Sequence, residues 1–393
     1  MFLQTKRIFL ALSLMAVLLA SCSPGATPAP TLDPNAISTQ AFATIYAAQT
    51  GTAVASLPTE TPIPSPTATH SGPPPELPPT LQVQGLDPAA TPKTYISDSC
   101  QYLKAKWDPN NAAPGTIVMV VMFHSIEKAT ETASNPMHVG SGDFKRIMKN
   151  LNDFGFQAIN ANQLADFLDF NAKIPQRSVV LIQDDRHSAE NYNDWFRPYW
   201  QELGWPVINA WISWDDSIRS QILQSNIALG AEGFVDFQSH GYVHNTPMTD
   251  SMSDEYIRSE FEHSTADLKQ NFNKTPVAII WPGGGFGVRP VQIAREFGYR
   301  IGFTVNPRGP LMFNWVPQAD AAVGAFDIPE GPVGDPRMTL PRYWPNQVIP
   351  NLDTVRLISE QAAAYAEQNK ATELLYYDIV CAPTLGPIPA AVP

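Results

Sequence analysis

Cysteine is scarce in this chain of 393 residues, with three in all, at positions 22, 100 and 381. They form no cluster, which excludes a thiolate metal site. Positive charge is short as well: 25 Lys and Arg stand against 37 Asp and Glu, a formal net charge of −12. Without a basic tract to neutralise phosphates, nucleic acid is not an expected partner. The apolar run at residues 8–20 is too short to be a convincing membrane span. Histidine is sparse, seven in total, and four of them (His124, His187, His240 and His244) fall within a few residues of predicted strand ends.

What is present begins with an address. Lys6 and Arg7 precede the apolar run, as in a secretion signal over residues 1–21. The run ends in LLASC, which resembles the bacterial lipobox. That resemblance implies Cys22 as a lipidated first mature residue and an extracytoplasmic protein held at a membrane surface by lipid alone. Residues 22–92 are rich in Pro, Thr and Ala and read as an extended tether. The remaining cysteines, Cys100 and Cys381, stand at opposite ends of the expected folded region. Outside the cytoplasm a bridge between them is expected. The main domain is placed at 93–350, with an extension at 351–393 read as a helix and then a strand packed on it. Nothing calls for a second copy, so a monomer is expected.

From residue 116 onward apolar strands alternate with amphipathic helices. TIVMVVMF, RSVVLIQ, WPVINAWIS, GFVDFQS, TPVAIIWP and YRIGFTV read as strands, and GDFKRIMKNLNDF, ENYNDWFRPYWQEL and DEYIRSEFEHSTADLKQNF as helices between them. This is the α/β pattern of a parallel sheet covered by helices. Chemistry in such folds collects at the carboxyl ends of the strands. Those ends carry His124, the pair Asp184 and Asp185, the pair His240 and His244, and Trp281 followed by glycines. Two adjacent carboxylates after a buried strand ask for a positive partner. Two imidazoles four residues apart, sharing one face of a helical turn, plus a carboxylate are a common divalent-metal set. A second acidic pair, Asp215 and Asp216, reads as a helix N-terminus.

In order along the chain these segments resemble the NodB-homology polysaccharide deacetylases, carbohydrate esterase family 4. LIQDDRH is similar to that family's Thr-Phe-Asp-Asp-Gly, SHGYVH to its His-x-x-x-His, and WPGGG to its Tyr-Pro-x-Gly. VMFHSI resembles the strand that opens the branch acting on exported poly-N-acetylglucosamine. The resemblance covers about residues 114–310 and extends toward LPRYW at 340–344. It implies an irregular (β/α) barrel, usually of seven parallel strands. It also implies a metal-dependent N-deacetylase of an N-acetylated glycan, with Asp184 as general base and His124 as general acid. Asp185, His240 and His244 would hold a divalent ion, zinc first, though cobalt, manganese and nickel accept the same donors. Trp281 and Phe286 are the candidates for stacking on sugar rings, and backbone N–H groups near Asp185 or in WPGGG for stabilising an oxyanion. Gln183 and Arg186 depart from the family motif. Arg186 is expected to narrow the cleft and touch substrate, or to pair with an acid such as Asp236. Arg289 and Arg342 are candidates for orienting carboxylates. The two departures keep open an alternative, a glycan-binding lipoprotein without catalysis on the same fold.

Overall fold

The computed structural model describes residues 72–391, other than 129–132, 134, 136, 244, 245, 325 and 326. The signal segment, Cys22, most of the tether and His244 therefore lie outside the described residues. No helix among the described residues is long and apolar enough to cross a membrane.

Seven parallel strands form the main sheet: β1 Ile117–Phe123, β2 Gln157–Ala158, β3 Arg177–Gln183, β4 Val207–Trp211, β5 Val235–Ser239, β6 Ala278–Ile280 and β7 Ile301–Phe303. The spatial order is β7-β6-β5-β4-β3-β1, with β2 also paired to β3. Strand alternation divides the core into two layers. Met119, Val121, Val179, Leu181 and Val207 face one apolar cluster under helices Ser141–Asp153 and Pro345–Tyr376. Val118, Val120, Val180, Ile182, Ile208 and Ala210 face a second, inside the curve of the sheet. Helix Ala161–Phe170 packs its apolar side into that second cluster.

The sheet curls into a half-barrel whose two edges, β1 and β7, are bridged by the segment 340–343. The Leu340 N–H donates to the Gly302 carbonyl (2.8 Å) and the Tyr343 N–H to that of Val120 (2.7 Å). The irregular barrel expected from the sequence is thus observed, with LPRYW as its closing piece.

Three boundaries differ from expectation. Residues 77–92, assigned to the tether, belong to the domain. Leu81, Val83 and Leu86 pack on the outer core, the Trp315 indole donates to the Leu81 carbonyl (3.0 Å), and Ala90–Lys93 pairs antiparallel with Val316–Ala319. Prolines preset an extended backbone that lies along a surface as readily as it leaves one. The predicted helix over ENYNDWFRPYWQEL is two, Ala189–Trp195 and Arg197–Leu203, with Pro198 in the first turn of the second. The strand expected in the extension is helical instead. Helix Pro345–Tyr376 continues through the turn Tyr377–Cys381 into Ala382–Leu385. Cys381 there meets Cys100 of helix Ser99–Trp107 in a disulfide (S–S 1.99 Å), as expected. The link joins elements 281 residues apart beside buried Leu103 and Tyr377.

Candidate active site

The same alternation that builds the inner core carries even-numbered residues to its upper end. On β3, Val180 and Ile182 lead to Asp184; on β1, Val118 and Val120 lead to His124; on β5, Asp236 and Gln238 lead to His240. Three dispersed segments thus deliver an acid and two imidazoles to one place. His124 Nε2 lies 3.5 Å from Asp184 Oδ2, and His240 Nε2 lies 3.7 Å from Asp185 Oδ1.

Asp184 is buried, and its positive partner is Arg342, whose Nη1 donates to Oδ1 at 2.6 Å. Arg342 is itself wholly buried, and its Nε donates to the Thr304 carbonyl (2.6 Å). Burial alone would push the Asp184 carboxyl up. The Arg342 guanidinium, with smaller help from His124 and His240, more than offsets this and holds it below the usual carboxylate range. An ionised carboxylate facing a potential water is what a general base requires. Arg342 is the missing cation of the aspartate pair, and it comes from the segment that closes the barrel. Arg289, the other candidate, pairs at the surface with Asp254 (2.9 Å).

His124 lies under Trp344, the rings stacked at 5.4 Å and 9°. Burial lowers its pKa, against the opposing pull of Asp184. Gln183, a departure from the family motif, ties the ends of β1 and β3 together, its Nε2 donating to the His124 carbonyl (2.6 Å). His187 lies beside it, with Nε2 2.8 Å from Gln183 Nε2.

Asp185 adopts a left-handed backbone, φ 65°, which turns its carboxylate away from Asp184 and toward His240. Such a conformation costs a non-glycine residue about 1 kcal/mol or more and persists only when held. Asn209 on β4 holds it, its amide donating to the carbonyls of Gln183 (3.1 Å) and Asp185 (2.8 Å). His240 is oriented from behind, with Nδ1 2.7 Å from the Ile280 carbonyl. That places the proton on Nδ1 and leaves the Nε2 lone pair toward Asp185, the tautomer and second partner typical of a metal-bound imidazole.

Among the described residues no group of three or more His, Cys, Asp or Glu is arranged to hold a metal ion; His244, the third expected ligand, is outside them. The donors that are described fit a divalent cation: one carboxylate and one pre-oriented imidazole. Residues 242 and 243 form a bend. Gly241 at φ 75° makes the bend, and the buried carboxylate of Glu260 receives the N–H groups of Tyr242 (2.6 Å) and Val243 (3.0 Å). Asn209, Glu260 and Trp344 are not singled out by the sequence. A buried polar side chain inside a strand, as Asn209 is, is the only signal it offers.

Three substrate expectations are corrected. Trp281 is fully buried, and its indole donates to the Met338 carbonyl (2.8 Å). Phe286 is 2% exposed. Both belong to an outer cluster with Phe261 and Val291, because Trp281 has the parity of Ile279, not of Ile280. Arg186 neither lines the cleft nor meets Asp236, which pairs with Lys274. Instead it grips Asp216 through two bonds (2.6 and 3.1 Å) and the Trp214 carbonyl (2.9 Å). Asp216 is the N-cap of helix Ser217–Ala231, as its position suggested. In the WPGGG turn the N–H groups of Gly284 and Gly285 bond to Trp281 and Pro282 carbonyls (both 3.1 Å), so they are not oxyanion donors.

Residues 174–302 match the polysaccharide deacetylase family model. The matched deacetylase segment includes Asp184, Asp185 and His240; His124 and Arg342 lie on either side of it. No curated protein matches the chain. Among solved structures it is similar to the Streptococcus pyogenes deacetylase PplD in complex with acetate: 20% identity, 61% of this chain, 98% of that one, TM-score 0.48. It is also similar to a de-N-acetylase from Aggregatibacter actinomycetemcomitans (17%, 60% and 99%, TM-score 0.46) and to IcaB from Ammonifex degensii (14%, 62% and 97%, TM-score 0.45). At these scores the likenesses carry no inference about function.

Proposed function

We propose that this protein is a divalent-metal-dependent hydrolase that removes N-acetyl groups from an extracytoplasmic N-acetylated polysaccharide and releases acetate. The observation that carries this reading is the buried Arg342–Asp184–His124 chain set beside the Asp185–His240 pair, on the barrel face where the deacetylase family match falls. A divalent ion held by Asp185 and His240, with His244 as the third donor expected from the sequence, would polarise the amide carbonyl and acidify the attacking water. Asp184, kept ionised by Arg342, takes the proton of that water. His124, at 3.5 Å, passes a proton to the nitrogen as the C–N bond breaks, so that an amine leaves rather than an amide anion. One proton travels from water to amine, and the pair returns to its starting state. Trp344 covers the imidazole and limits its contact with solvent.

The anchoring through Cys22 and the extracytoplasmic site are part of the same proposal, supported by the leader sequence and by the Cys100–Cys381 disulfide, a bond of oxidising compartments. A glycan-binding role without catalysis is disfavoured by the same geometry. Of the two departures that suggested it, Arg186 is engaged with Asp216 and its side chain is only 7% exposed, and Gln183 donates to the His124 carbonyl. The test is acetate release from N-acetylglucosamine oligomers, chitin and peptidoglycan, with zinc, cobalt or manganese added. Release is expected from the native chain and not from Asp184→Asn. Equal release from both would remove Asp184 from the role of base.

A further inference from the structure

With Trp281 and Phe286 in the core, the strand-end face presents a different aromatic surface. Of the nine tryptophans only Trp214 is exposed, at 42%. It lies three residues beyond β4, on the face that carries Asp184, Asp185 and His240. An indole so exposed forfeits apolar burial, yet this one is held. Tyr242 meets it edge-on, ring centroids 5.2 Å apart at 64°. Tyr242 in turn stacks on His263 at 4.6 Å and 30°, and its N–H is bonded to Glu260.

Both arms of this platform start at the proposed metal donors. Arg186 follows Asp185 directly and clamps the Trp214 carbonyl together with Asp216. Tyr242 follows His240 by two residues. The indole is thus positioned by the same backbone that positions the reacting groups. A rigid aromatic face of this kind suits the apolar C–H face of a pyranose ring, burying area at little entropic cost. It also accounts for arginine where the family motif has glycine: the side chain braces the platform.

We propose that Trp214, braced by Tyr242, is a stacking subsite for a sugar ring adjacent to the N-acetylated residue undergoing cleavage, so that the protein selects oligomers over single sugars. This rests on the reading under "Proposed function", and the test separates the two. The full chain, Trp214→Ala and Trp214→Phe are assayed with a pentamer of N-acetylglucosamine and with 4-nitrophenyl acetate. Folding of each variant is checked by circular dichroism. Trp214→Ala is expected to lose about three- to tenfold in kcat/KM on the pentamer, mainly through KM, a loss several times larger than on the ester. Trp214→Phe should recover most of it. Equal losses on both substrates, or none on the pentamer, would overturn the subsite. Binding decides independently of turnover, by titrating the pentamer into the Asp184→Asn protein with and without Trp214→Ala. Weakening by a similar factor supports the subsite; unchanged affinity, or no binding before the tryptophan is removed, overturns it.

Discussion

Replacing Arg342 with methionine isolates the electrostatic core of the site. Methionine keeps most of the side-chain length and removes the charge, leaving Asp184 1% exposed with no cation in direct contact. The Nη1–Oδ1 separation is 2.6 Å, so the charge centres are about 4 Å apart. At an effective dielectric near 20 that is roughly 4 kcal/mol of attraction, and it favours the ionised carboxyl. In the native protein the Asp184 pKa is depressed, so its stabilising contribution is present above the ordinary carboxylate range and is lost as pH falls toward the folded value. In the variant burial dominates, and the pKa rises above the unfolded value. The variant therefore loses stability as pH rises from 4 toward 7, while the native protein does not. Urea unfolding at several pH values should show the difference between the two widening over that interval. A stability difference independent of pH would refute the claim that Arg342 acts on Asp184 through charge.

Further outcomes follow from other contacts. Burial holds His124 below its ordinary pKa, and the proposed cycle starts with it neutral and Asp184 ionised. Accordingly, kcat/KM should be flat near neutrality and fall on the acid side only below the ordinary imidazole range; a profile that rises as the pH is lowered through that range would contradict it. Cys100→Ser or Cys381→Ser should lower stability by about 2–5 kcal/mol, read by urea midpoints under non-reducing conditions. Reductant should then affect the native chain and not the variants. Glu260→Ala leaves the N–H groups of Tyr242 and Val243 without their acceptor. Metal affinity by calorimetry should fall about ten- to a hundredfold, whereas an unchanged affinity would show that the bend does not depend on this carboxylate.

The sequence by itself determined the α/β class, the strands that matter, and the residues at their ends. Strand-end placement is a local property and put His124, Asp184, Asp185 and His240 among the candidates, while the resemblance to the NodB-homology deacetylases singled them out. Parity is equally local, and at Trp281 it outweighs strand-end placement: one residue of register sends the indole to the outer core. What only the tertiary structure decided were the partners. Arg342 and Arg289 look alike in sequence, and only the closing of the barrel between β7 and β1 buries the one against Asp184 and leaves the other at the surface. Arg186 chose Asp216 over Asp236 because the loop after β4, not the interior of β5, passes within its reach. Likewise Leu81, Val83 and Leu86 join the domain because an apolar surface was there to receive an extended chain. Composition records what a segment is made of, whereas burial depends on what lies opposite, and that is a property of the folded chain alone.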